Sequence, residues 1–182
     1  MAPDRDRRRV YDVEDLAFAD TVYDQVVPFA DAADLLADFC AQGFWRALDL
    51  PVPDVRPTRS DAGTSYARPG IDGPSVHLSP GGCTVAVVAH ELAHVAATAL
   101  VPDGAEPGHG PRFRRADVAL VGALMGVDAA VRLEEHFVGA GLPLGPDLEA
   151  IPPPPRLGFW ATWRSARFLA ACRPIPAEPI AL

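Results

Sequence analysis

At 182 residues and 49% hydrophobic content, the chain has the size and apolar fraction of one domain with a real core. Its 16 basic residues, all arginine, are outnumbered by 24 acidic ones, and a net charge of −8 with no sustained basic stripe makes nucleic acid a poor partner. No run of eighteen apolar residues, no apolar segment behind the charged start, and three widely spaced cysteines (Cys40, Cys83, Cys172) argue against membrane spanning, secretion and a disulfide or Cys-zinc framework, leaving the reducing cytoplasm as the expected compartment.

In chain order, Arg5, Arg7, Arg8 and Arg9 interleave with Asp4 and Asp6, which predicts a solvated, frayed terminus. The first long periodic segment runs from about Ala30 to Leu48. Leu35, Leu36, Phe39, Cys40, Phe44 and Leu48 recur there at helical steps, and Pro51 stops the pattern. Residues 52–59, 63–68 and 75–79 are bounded by Pro or Gly and read as three strands, with turns near Asp61-Ala62-Gly63 and over 69–74. From Thr84 to about Val101 nearly every residue except His90, Glu91, His94 and Thr98 is apolar, so a helix buried on most sides is expected, ended by Pro102-Asp103-Gly104. Pro111 suits the first turn of a helix reaching Gly126, and His109 stands just ahead of it. A further helix runs from Asp128, its expected cap, to about Val138. Beyond Leu142 the composition turns to proline and then to Phe159, Trp160, Trp163, Arg164 and Arg167. The expected division is a domain over 1–141 and a Pro-rich, aromatic and basic tail over 142–182 that packs on the domain or on a partner.

The chemistry sits in His90-Glu91-Leu92-Ala93-His94. Two histidines four apart share one face of a helix, with Cβ atoms roughly 5–6 Å apart, so both rings can turn onto one cation. Glu91 sits beside that cation rather than on it, the position of a general base that takes a proton from water. Burying these groups in an apolar helix costs several kcal/mol without a partner, and a metal removes the cost. Without one, His90 and His94 would be core histidines bonded to carbonyls, and Glu91 would pair with an arginine. For a third ligand, Ala97 and Leu100 stand where the metzincin continuation needs Gly and His, which excludes that class. Glu134 or Glu135 could serve in a thermolysin-like arrangement, but Arg132 and His136 beside them mark an exposed helix face. His109 is therefore the preferred ligand, and His77 and His136 read as strand and surface residues.

HELAH followed by His109-Gly110-Pro111-Arg112-Phe113 resembles the SprT-like metalloprotease domain, with its HExxH helix and a third histidine in HGxxF. The segment Ser75–Ser79 is similar to the strand ahead of that family's active-site helix. Arg5-Asp6-Arg7, Val10-Tyr11, Glu14 and the stretch from Met125 to Phe137 resemble a family of small metallohydrolases of high-GC bacteria, so the likeness covers residues 5–141. It implies a compact α+β, zincin-like domain in which a small mixed sheet packs on the active-site helix. One zinc ion would be held by His90, His94 and His109, with Glu91 as catalytic base and a protein or peptide as substrate. The chain lacks the Cys-rich ribbon and DNA-binding additions of some SprT-like proteins, so DNA-dependent proteolysis is not implied. An extended peptide is expected to add to the Ser75–Ser79 strand as a sheet edge, with Tyr66 and Arg112 as candidate oxyanion groups. The alternatives are a zinc hydrolase of another class, ribonuclease-like, or a non-catalytic module in which zinc staples the helices.

Overall fold

The computed structural model describes residues 4–59, 63–100, 108–147 and 153–171. The expected turn at 61–63, the helix stop at 102–104 and Cys172 lie wholly or partly outside them. Among the described residues, seven helices and a three-stranded sheet make a mixed α+β arrangement. No helix among the described residues is long and apolar enough to cross a membrane.

The first helix, α1 (Arg7–Phe18), corrects the expectation of a frayed terminus. Val10, Val13, Ala17 and Phe18 recur at helical steps and are buried, α1 packing along α6 (Val127–Gly139). Arg7, Tyr11 and Glu14 share another face of α1, at i, i+4 and i+7. The long helix expected over 30–48 is two: α2 (Phe29–Cys40) and α3 (Gly43–Ala47). The break at Ala41-Gln42 turns Trp45 back against Phe39, with ring centroids 6.4 Å apart, and buries it; a straight helix would carry that indole away.

Strands β1 (Asp54–Pro57), β2 (Tyr66–Arg68) and β3 (Ser75–Leu78) form a mixed sheet in the order β1-β3-β2. β1 runs parallel to β3, and β2 antiparallel to it. The Ser75–Ser79 segment is thus the central strand, not the expected edge. Alternating burial in β3, with Val76 and Leu78 inward, places one face of the sheet against the core.

Helix α4 (Val85–Leu100) crosses beneath the sheet, opened by Thr84, whose Oγ1 accepts from Val87 N at 3.1 Å. Its main neighbour is α5 (Pro111–Met125). Gly126, at φ +108°, is the N-cap of α6, and the expected cap, Asp128, lies in the first turn instead. Helix α7 (Phe159–Ala171) lies on α2 and α5: Phe159 meets Phe39 edge-on, Trp163 Nε1 donates to Asp38 at 2.8 Å, and Arg167 pairs with Asp31 and Asp34.

The chain entering α7 crosses the α5–α6 joint closely. Val127 N donates to Pro155 O at 3.1 Å, and a methyl group on Gly158 would run into the backbone of Leu124–Gly126. Gly158→Ala should therefore cost about 1–3 kcal/mol. Gly43→Ala, with nothing within 4 Å of the added methyl in a helical position, should be neutral or stabilising. Denaturant unfolding of the two variants checks this, and equal effects would show that the crossing is looser than drawn.

Candidate metal centre

Helix α4 presents His90, Glu91 and His94 on one side, and the turn into α5 brings His109 to the same point. The four residues expected to carry the chemistry are therefore together. The Nε2 atom of His90 lies 3.2 Å from that of His94 and 3.3 Å from that of His109, and the three ligand atoms all fall within 4.8 Å of one another. Donors about 2.0–2.1 Å from a tetrahedral ion stand roughly 3.3 Å apart. Two of the three separations therefore match the spacing that a small divalent cation needs. Phe113, the aromatic residue of the second motif, packs against all three rings at centroid distances of 4.4–5.0 Å.

The far side of two of these rings is held by carboxylates. His109 Nδ1 meets Asp4 Oδ2 at 2.6 Å, and His90 Nδ1 meets Glu14 Oε1 at 2.7 Å. A carboxylate that accepts from Nδ1–H leaves Nε2 with a bare lone pair aimed at the common point, the arrangement found behind metal-bound histidines. Arg114, buried on α5, ties the same parts together. It donates to the His109 carbonyl at 2.7 Å, to Asp6 at 3.1 Å and to the Pro143 carbonyl at 2.9 Å. Tyr11 lies against His90 (centroids 5.1 Å, stacked) and edge-on to His109 (5.3 Å).

Burial dominates the electrostatics. It lowers the pKa of all three histidines, that of His94 to about 2, where the neighbouring His90 and His109 also contribute. All three are neutral at pH 7 and available as ligands. Burial is thus the main reason that His109 stays neutral. Glu91 is lifted by burial to about 7; the Ala67 backbone N–H donates to it, while its Oε2 is buried with no partner. Behind His90, Glu14 is hydrogen-bonded to the buried Asp117 of α5. Burial raises Glu14 to about 8, and burial together with the Glu14 charge raises Asp117 well above the usual carboxylate range. Free of a cation, the centre thus retains protons on buried acids.

Other expected residues fall outside the cluster. His77 stacks on Tyr66 in the sheet, and Glu134 points to Arg115 on a different face, at 3.7 Å. Among the described residues, His90, His94 and His109 form the one group able to hold a metal ion. A cavity of about 510 Å³ opens onto His94, His109 and Glu91 and is walled by Tyr11 of α1, by β2 and by the turn after it. Of the two expected oxyanion groups, Tyr66 lines this cavity and the exposed Arg112 does not. Sequence reasoning missed Asp4, Glu14, Tyr11, Arg114 and Asp117. The spacing of Arg7, Tyr11 and Glu14, on a face beside that of Val10, Val13 and Ala17, was the available signal. The chain matches no family model, no curated protein and no solved structure.

Two outcomes follow from this centre. His109→Ala should abolish stoichiometric metal binding, whereas Asp4→Asn and Glu14→Gln should each weaken it by about 10–100-fold, as outer-sphere partners do; competition against a chelating dye measures both. For pH, the unfolded chain releases the Glu14 proton near 4.5 and the folded, metal-free chain only near 8, so folding loses stability as pH rises through that interval. The depressed histidines act oppositely: stability falls as pH drops below 6.5. The metal-free protein should be most stable at about pH 5–6.5, and metal should move the optimum above 7 by displacing protons. Thermal unfolding with and without chelator would contradict this if the two optima coincided.

Proposed function

We propose that the chain is a zinc-dependent peptidase with a zincin-like, SprT-like domain. The observation that carries this is the convergence of three neutral imidazoles on one point, with the unpartnered Oε2 of Glu91 buried beside it and a cavity opening onto both. The donor set suits zinc: three nitrogen ligands, two backed by carboxylates, with no fourth protein ligand among the described residues. Structural zinc sites are usually closed by four protein ligands, whereas catalytic ones keep a position open. Nitrogen-only ligation beside a water-accessible cavity therefore favours catalysis over stapling.

Zinc, when bound by His90, His94 and His109, would supply a Lewis acid that acidifies water and polarises a carbonyl. The remaining work falls to the chain. The Ala67 N–H holds Glu91 by one oxygen, leaving the other to take a proton from water as the water oxygen bonds to the scissile carbonyl carbon. Glu91 then passes that proton to the amide nitrogen as the C–N bond breaks, giving an acid and an amine. Arg7 hydrogen-bonds to the Tyr11 hydroxyl, and burial raises this phenol's pKa, so its proton stays available to point at charge developing on the carbonyl oxygen. The sheet edge beside the cavity is β2, and an extended substrate would run along it rather than along β3. The free, buried thiols of Cys40 and Cys83 agree with a cytoplasmic location.

Glu91→Gln should keep full zinc content while lowering peptide cleavage by about 10²–10⁴-fold. A peptide-library digest read by mass spectrometry, beside a metal analysis of the same preparation, tests this. Equal cleavage by both proteins would remove Glu91 from the role. Zinc-dependent cleavage of RNA with no cleavage of any peptide would replace the assignment with a ribonuclease-like one.

A further inference from the structure

The cavity over the metal centre is lined by four charged side chains besides the histidines, and they are not equivalent. Its two acids are already engaged, Asp4 with His109 Nδ1 and Glu91 with the Ala67 N–H. Its two arginines, Arg7 on α1 and Arg68 on β2, are exposed and have no carboxylate within 4.0 Å among the described residues. Elsewhere Arg9, Arg56, Arg114, Arg115 and Arg167 each pair with an acid of this acidic chain.

Both arginines are also held in place. The Arg7 guanidinium lies 5.6 Å from the centroid of the Tyr11 ring, and that of Arg68 lies 4.6 Å from the Tyr66 ring. Contact with a tyrosine fixes the plane of a guanidinium and engages few of its five in-plane N–H donors: Arg7 gives one to the Tyr11 hydroxyl, and an edge remains for a bidentate acceptor. The Arg7 charge acts on His90, Glu91, His94 and His109 alike, so it sits within reach of the reacting centre. The rim between the two is apolar, with Pro69, Pro74 and Val95, and Ile71 stands fully in solvent.

We propose that this cleft selects peptides carrying carboxylates next to the scissile bond, with Arg7 and Arg68 as the groups that read them. This rests on the peptidase assignment above and adds the substrate class: an extended acidic peptide with an apolar residue for the Ile71 rim. The carboxylate at Arg7 can be an acidic side chain or the free C-terminus of the substrate, since both offer the same two oxygens. In a chain of net charge −8, two arginines in the cleft also supply local attraction against long-range repulsion, so binding should weaken with added salt.

The test uses zinc-loaded Glu91→Gln protein, which binds without turnover, and fluorescent peptides of three kinds: Asp/Glu-containing, the Asn/Gln isostere, and the acidic peptide with an amidated C-terminus. Binding is read by anisotropy. The acidic peptide should bind at least about tenfold tighter than its isostere, and Arg7→Gln and Arg68→Gln should each narrow that ratio by about fivefold at unchanged zinc content. Loss of the preference on amidation alone would place the carboxylate at the chain end, and retention would place it on side chains; either supports the proposal. Equal affinity for all three peptides, amidated one included, would overturn the proposal while leaving the peptidase assignment standing. If zinc-loaded protein bound and cut no peptide of any charge, both would fall.

Discussion

Everything around the centre follows from three ring nitrogens aimed at one point inside an apolar helix pair. The closest Nε2 atoms are 3.2 and 3.3 Å apart. At that spacing each contact needs something between the lone pairs, a proton or a cation. His94 can resolve one contact by donating from its own Nε2. The contact of His90 with His109 has no such remedy while both rings give their Nδ1 protons to Glu14 and Asp4. The choice between protons and metal is thereby passed outward, onto the Glu14–Asp117 pair, whose acids burial holds protonated when no cation is near. A divalent ion reverses that preference, so metal binding and proton release become one event.

This coupling explains why the N-terminal segment is so closely bound to the rest. Asp4, Asp6 and Glu14 reach His109, Arg114 and His90 respectively, across 105, 108 and 76 positions of sequence. Each contact buries a charge or part of one, and such pairs rarely stabilise a fold on their own account, because desolvation cancels much of the attraction. Their value lies in orientation: they set which nitrogen of each ring is free and in which direction it points. The apolar stripe of α1 on α6 supplies the docking energy, and the polar stripe supplies the aim. One helix does both because 3.6 residues per turn separates Val10, Val13 and Ala17 from Arg7, Tyr11 and Glu14.

The parts that local chemistry determines were legible in the residues. The i, i+4 histidines with Glu91 between them, and His109 before a proline-started helix, needed only helix geometry to be placed. The three short strands, the α4–α6 helices and their order were readable from Pro, Gly and apolar period. What depended on distant partners was not. Six charged residues among Asp4–Arg9 hid the four-residue apolar stripe of α1, and no local rule couples Glu14 to a histidine 76 residues away. Strand order is equally nonlocal: nothing within Ser75–Leu78 says that β1 and β2 lie on either side of it. The break in the long helix was set by the Trp45 indole finding Phe39, a tertiary contact that overrides a continuous helical pattern.

The placement of Glu91 carries the last step. A carboxylate in a purely structural centre would be expected to ligate the metal, pair with a cation or turn to solvent, since an unpartnered buried oxygen costs about 1–3 kcal/mol or more. Here one oxygen is anchored to the backbone of β2, and the other is buried and bare beside the ligand nitrogens. Anchoring fixes the direction of the free lone pair, and burial raises the basicity that a proton acceptor needs, lifting the group to about 7. The same β2 amide that holds Glu91 belongs to the strand walling the cavity. Glu91, two of the three histidines and one wall of the cavity are therefore positioned by two elements, α4 and β2, in direct contact, and the turn into α5 brings the third histidine. A peptide seated along β2 would approach the bare oxygen and the open side of the histidine set together, which a staple has no reason to provide.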